Sequence, residues 1–98
     1  MNIIASNKIE NCLSGESVFN YQVDANWSVE TIVLLEELGR LRYYNSYPTP
    51  MFHVSCSDGT FIKGIEGASE FKVIFDKNNH GKAKERFEKL FRKVFSKK

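Results

Sequence analysis

The chain is 98 residues long and carries a formal net charge of +2 at pH 7. A chain of this length builds one hydrophobic core, which excludes a second independently folding unit, and we expect residues 1–98 to be a single domain. Its two cysteines, Cys12 and Cys56, lie too far apart in sequence to form a C-x-x-C pair. Zinc-finger and thioredoxin-type spacings are therefore excluded, and a reducing compartment is expected.

The chain shows no targeting or membrane signal. Residues 1–11 contain no basic stretch followed by an apolar run, and the longest apolar run covers only residues 32–35. Export and membrane spanning both need longer apolar segments. We therefore predict a cytoplasmic protein with no membrane-spanning segment.

Two strands are predicted before the first helix. Phe19, Tyr21 and Val23 alternate with polar residues, which is typical of a half-buried strand. A preceding strand is expected at residues 9–13, joined to it by a turn at residues 14–16.

The first helix is predicted to begin near Asn26 or Ser28, either of which can cap it, and to run to Leu38. Gly39 leaves two alternatives for the end of this helix. If the helix continues, Leu41 and the next residue extend it; if Gly39 follows the last helical residue, residues 41–44 are an extended exit segment.

Three antiparallel strands are predicted next, at residues 52–57, 60–65 and 71–76. The first and third show period-two alternation, and Asp58 with Gly59 is a strong hairpin signal that leads into the second. The closing helix is predicted from apolar residues three and four positions apart: Ala83, Phe87, Leu90, Phe91, Val94 and Phe95.

These elements predict an α+β domain of order ββαβββα, a two-layer sandwich with an antiparallel sheet and both helices on one face. A ferredoxin-like arrangement fits this order if the segment at residues 60–65 is a hairpin extension. The part from residue 27 onward also has the element order of a double-stranded RNA-binding domain. It lacks the glycine-rich turn and alanine-rich closing helix of that family, and we assign no family.

The charge distribution singles out the closing helix as a candidate surface. Residues 77–98 hold nine cations and two acids, a net charge of +7, whereas residues 1–76 carry −5. Such a cationic helix can meet phosphates or an acidic protein surface, although a solvated amphipathic helix has the same composition. Its candidate residues are Lys82, Lys84, Arg86, Lys89, Arg92 and Lys93.

A second candidate surface is an aromatic and basic segment beside a proline-containing loop. Guanidinium groups and phenols together can stack a planar ligand and hold its phosphate or carboxylate, although tyrosines also cover core edges. Its residues are Arg40, Arg42, Tyr43, Tyr44 and Tyr47.

Catalytic and cofactor signals are weak. His53 and Cys56 are separated by an odd number of positions, so a regular strand directs them to opposite faces, and Cys56 shares the core face of its strand. The Gly64 to Gly67 segment lacks the lysine of a phosphate loop. We expect no metal, no cofactor and no enzymatic activity.

The sequence therefore predicts a non-catalytic binding or interaction domain that contacts a protein or small ligand. The alternative is a nucleic-acid-binding module that uses the basic closing helix. Thirteen aromatic residues in a small chain also predict a homodimer that covers part of them.

Overall fold

The computed structural model describes residues 1–11, 17–45, 48–57, 59–75 and 80–96. This part of the chain contains six strands and two helices in the order ββαββββα. The strands are β1 (Ile3–Asn11), β2 (Ser17–Val23), β3 (Arg40–Tyr44), β4 (Met51–Ser55), β5 (Phe61–Ile65) and β6 (Glu70–Phe75). The helices are α1 (Val29–Leu34), which continues as a 3-10 turn over Leu35–Glu37, and α2 (His80–Ser96).

The six strands form one sheet in the order β1-β2-β6-β5-β4-β3, and every neighbouring pair is antiparallel. The predicted α+β class and antiparallel sheet are confirmed. The predicted order ββαβββα is wrong because it omits β3. The ferredoxin-like arrangement is not confirmed, because the sheet has six strands.

The omitted strand is the segment after Gly39, whose conformation the sequence left open. It is extended and pairs with β4, where Leu41 faces Val54. Gly39 makes this pairing possible, because a Cβ at that position would overlap the carbonyl oxygen of Ser55. The helix itself is short, since α1 has six residues before its 3-10 turn.

The start of α1 follows the capping prediction at Ser28. The Ser28 hydroxyl accepts a hydrogen bond from the Thr31 backbone N–H at 3.4 Å, and the Thr31 hydroxyl accepts one from the Ser28 N–H at 2.9 Å. This reciprocal pair satisfies two backbone donors that a helix start otherwise leaves free. The predicted turns at Gly59 and Gly67 have φ of 92° and 91°, values that favour glycine. Asp58 lies outside the described residues.

The core lies between the sheet and the helices and is dominated by aromatic rings. Trp27, 2% exposed, stands at its centre. Its ring centroid is 5.0 Å from that of Phe52, 5.5 Å from Phe71, 6.4 Å from Phe91 and 5.9 Å from Phe95. Residues of two strands and of α2 thus meet in edge-to-face contacts, which stabilise more than the buried area alone.

No helix in the described ranges has both the length and the apolar character needed to cross a membrane. The cytoplasmic location stays a prediction.

Candidate functional site

The sheet has two unlike faces, because side chains alternate along each strand. On β4, Phe52 and Val54 are buried in the same core cluster as Ile32 of α1 and Phe91 of α2. The neighbours of these two strand residues point away from both helices and are more exposed. The same alternation holds on β5 and β6. We call the face without helices the open face.

Four basic residues lie side by side across the open face. Arg42 on β3 pairs with His53 on β4, His53 pairs with Lys63 on β5, and Lys63 pairs with Lys72 on β6. Adjacent strands are about 4.8 Å apart, so the four positions span about 14 Å perpendicular to the strands. We call these four residues the basic row. Arg40 lies beside it, two positions before Arg42 on β3.

The open face is electrostatically one-sided. The side chains of Arg40, Arg42, Lys63 and Lys72 are exposed, and none of them forms an ion pair within the described part of the chain. Among the side chains described on this face, Glu70 is the one acid. A potential set by four cations and one acid attracts anions.

The surroundings of His53 favour the neutral form of its imidazole. Burial lowers the pKa of its imidazole below the ordinary value of 6.5, and the positive charge of Lys63 lowers this pKa further. The negative charge of an anion bound over the basic row would act in the opposite direction and raise this pKa. His53 is therefore a group whose protonation responds to a bound phosphate or carboxylate.

Three rings form a continuous strip across β3, β4 and β5. The centroid of Tyr44 is 5.0 Å from that of His53, which is 5.2 Å from that of Phe61. All three side chains are partly exposed on the open face. We call them the ring strip, and His53 belongs to both the strip and the basic row.

Apolar residues border the basic row on both sides. Two shallow depressions cross this surface, one at the β3 edge that the ring strip lines together with Arg40 and Arg42, and one above β5 and β6. The open face thus combines cations, rings and apolar contacts. On one side of the row Phe61 pairs with Ile74 and Ile74 with Val18, and on the other Met51 pairs with Tyr44 and Ile65.

The structure divides the predicted aromatic and basic segment between the two faces. Arg40, Arg42 and Tyr44 lie on the open face. Tyr43 points to the opposite face, where its hydroxyl donates a hydrogen bond to Glu66. This hydrogen bond raises the pKa of the Tyr43 phenol. Tyr47 lies outside the described residues.

The predicted basic residues of α2 lie on the far side of the molecule from the open face, and part of their charge is already neutralised. Lys84 Nζ is 2.6 Å from Glu88 Oε2, and Arg92 Nη2 is 3.7 Å from Glu88 Oε1. Lys84 Nζ also lies 5.1 Å from the ring centroid of Phe19. The exposed basic side chains of this helix include Lys82, Arg86, Lys89 and Lys93.

Sequence reasoning missed Lys63, Lys72, Phe61 and the role of His53 at this surface. The available signal was the alternation of side chains along a strand, because each of these residues occupies a position of a predicted strand that faces away from the core. Outward lysines are typical of solvated strands, however, and one lysine per strand is unremarkable. Only the register between strands brings them together.

Cys56 lies just beyond the end of β4, partly buried and packed against the core. The His53 ring is engaged between Tyr44 and Phe61 on the open face. Within the ranges that the structure describes, no three His, Cys, Asp or Glu side chains gather to hold a metal ion.

No protein-family model, curated protein or solved structure matches this chain. The function of the open face is therefore inferred from the chemistry of its own residues.

Proposed function

We propose that this chain is a non-catalytic binding domain that holds an anionic partner on the open face of its sheet. The observation that carries the proposal is the basic row. Like charges placed directly opposite one another on neighbouring strands destabilise a sheet. Lys63 lies directly opposite Lys72, and this pair is thus a local violation of sheet pairing of the kind that tends to mark functional positions. A bound anion would offset this repulsion.

The pairing state of the cations favours the open face over α2. On the helix, Glu88 already neutralises part of the charge of Lys84 and Arg92. On the open face, Lys63 and Lys72 have no acid partner among the described residues. Unpaired cations with a common direction give a stronger field for an incoming anion than cations that share a carboxylate.

The arrangement around His53 supports a binding role over a catalytic one. A cysteine nucleophile needs a base or another cation that lowers its pKa. Cys56 packs against the core, while the imidazole of His53 contacts two rings of the open face. The imidazole therefore contributes a flat surface and a titratable charge.

The test uses inorganic polyphosphate, a polyanion without rings. Titration followed by two-dimensional NMR of the backbone amides should shift resonances of β3 to β6, and calorimetry should give an affinity that falls with added salt. Lys63→Gln with Lys72→Gln should weaken binding by at least about tenfold, since two phosphate contacts are lost.

The matched control is Lys82→Gln with Lys89→Gln, which removes the same charge from exposed positions of α2. It should leave polyphosphate affinity nearly unchanged. If the control abolishes binding and the open-face variant does not, the basic helix is the binding surface and the proposal is wrong. Absence of binding by the unmodified chain at low salt would also overturn it.

A further inference from the structure

We propose that the anionic partner is a single-stranded nucleic acid, with its phosphates along the basic row and its bases on the ring strip. This inference rests on the proposed function, because it names the ligand of the same open face. It is carried by the position of the rings, which the anion-binding proposal does not use.

On two strands of this surface a ring lies two positions from a cation and on the same face. The Phe61 ring lies on β5 in the same strand as Lys63, and Tyr44 lies on β3 in the same strand as Arg42. A polynucleotide offers a phosphate and a flat base at every residue. An acidic peptide offers carboxylates without a stacking surface, so it would leave Phe61 and Tyr44 unused.

The ring strip favours a single strand over a duplex. Base faces are stacked inside a duplex and reach no protein ring, whereas unpaired bases can be spread on aromatic side chains. Double-stranded nucleic acid is read by an element that enters a groove. The open face is instead a broad surface made of six strands.

The register continues the site beyond the cations. Lys72 pairs with Asn20 on β2, and Asn20 pairs with Asn7 on β1. Both are amides, which donate and accept hydrogen bonds and can therefore meet base edges or sugars. A single-stranded nucleic acid that crosses the sheet along the basic row would pass from charged contacts at β3 to polar contacts at β1.

The experiment compares four probes of equal phosphate number by isothermal titration calorimetry: oligothymidine, oligouridine, an abasic oligonucleotide and a blunt DNA duplex. The abasic strand carries the same charge without bases. The oligothymidine or the oligouridine should bind at least about tenfold more tightly than the abasic strand and the duplex, because each stacked base adds to the affinity.

Two variants remove a ring and keep every charge. Tyr44→Leu and Phe61→Leu should each weaken binding to the base-containing strand by roughly tenfold and leave the abasic affinity unchanged. The matched control is Tyr43→Leu, the neighbouring ring on the opposite face, which should bind like the unmodified chain. Thermal melting of each variant verifies that it is folded. Tyr44 lies on the edge strand β3 and Phe61 on the interior strand β5, so the two variants test the ring contacts independently.

The dependence on salt separates the two kinds of contact. The slope of log affinity against log salt is about 0.7 per phosphate contacted in a single strand, so it counts cations. Lys63→Gln should lower this slope, whereas Tyr44→Leu should lower affinity at every salt concentration and keep the slope.

The failures of the two proposals are distinguishable. Equal affinity for the abasic and the base-containing strands refutes the nucleic-acid inference and leaves polyanion binding intact. Tighter binding to the duplex also refutes the inference. Absence of binding to every probe, polyphosphate included, overturns both proposals.

Discussion

Glu88 accepts contacts from two elements at once. Its Oε2 accepts hydrogen bonds from the Tyr21 hydroxyl of β2 at 2.8 Å and from Lys84 at 2.6 Å. Burial raises the pKa of the Glu88 carboxyl, but the hydrogen bonds from Lys84 and Tyr21 outweigh it, and the net pKa is lowered. Burial and the bond to Glu88 raise the pKa of Tyr21. This carboxylate therefore joins α2 to the sheet.

We expect Glu88→Gln to reduce the free energy of unfolding by about 1 kcal/mol at pH 7, because glutamine accepts from Tyr21 but forms no ion pair. A carboxyl with a lowered folded-state pKa contributes stability above its unfolded value, 4.5, and loses it as the pH falls through the folded value. The difference should therefore shrink as the pH falls below 4.5. Urea unfolding at pH 7 and in acid measures it.

The control for Glu88 is Glu85→Gln, an exposed position of the same helix. Its effect on the free energy of unfolding should be smaller than that of Glu88→Gln at pH 7. A difference between the unmodified chain and Glu88→Gln that grows in acid would contradict this account.

Gly39 is required by a close approach of two backbone segments. A Cβ there would overlap the Ser55 carbonyl oxygen, and neither backbone can move without breaking the β3–β4 pairing. We expect Gly39→Ala to cost about 1–3 kcal/mol of stability. Ser57→Ala, an exposed neighbour, should cost little. Equal effects in urea unfolding would show that the two segments are not packed as described.

At the scale of the elements, β5 and β6 face each other with lysines. Lys63 lies directly opposite Lys72, and like charges in that position repel. We expect Lys63→Gln to raise the free energy of unfolding by a few tenths of a kcal/mol, up to about 0.5, at low salt. Added salt should remove the gain by screening.

Lys82→Gln on α2 is the control for this charge effect and should not stabilise the chain. A loss of stability in Lys63→Gln at low salt would contradict cross-strand repulsion. Stabilisation together with weaker polyphosphate binding would indicate that the chain keeps Lys63 for its ligand.

The elements themselves follow largely from the sequence. Period-two alternation locates β4 and β6, the hairpin signal at Asp58 and Gly59 locates β5, and the apolar spacing locates α2. Strand β3 could not be located, because Gly39 is compatible with a helix end and with a tight crossing of β4. Only the contact with Ser55, remote in sequence, decides between them.

The candidate site was only partly predictable, for a related reason. Tyr43 and Tyr44 are adjacent on β3, so strand alternation alone places their side chains on opposite faces. A description of the segment by its composition treats the two as equivalent. The alignment of Arg42, Lys63 and Lys72 depends on strand register, which hairpin lengths and core packing fix together. Local pattern contains no information about which outward residues become neighbours.

At the scale of the whole molecule, the sheet buries more of the aromatic residues than their number led us to expect. Of the twelve aromatic residues within the described ranges, eight have buried side chains. An excess of exposed rings therefore gives little support to the expected homodimer. The dimer stays a prediction that now depends on the edge strand β1, where Ile4 is 64% and Ile9 45% exposed.

If the homodimer forms along that edge, Ile4→Lys should weaken it, because a charge on an edge strand opposes strand addition. Sedimentation velocity across a concentration series measures the effect, and Val33→Lys, at an exposed apolar position of α1, serves as the charge-matched control. A single monomeric species at high concentration in the unmodified chain would eliminate the dimer.

The central position of Trp27 has a spectroscopic consequence. It is the only tryptophan, it is 2% exposed, and its four ring neighbours all belong to the core. Its emission should be that of a buried indole and should shift to longer wavelength only when the core opens. A ligand on the open face is separated from this indole by the sheet. Intrinsic fluorescence should therefore follow unfolding faithfully and remain nearly silent to binding.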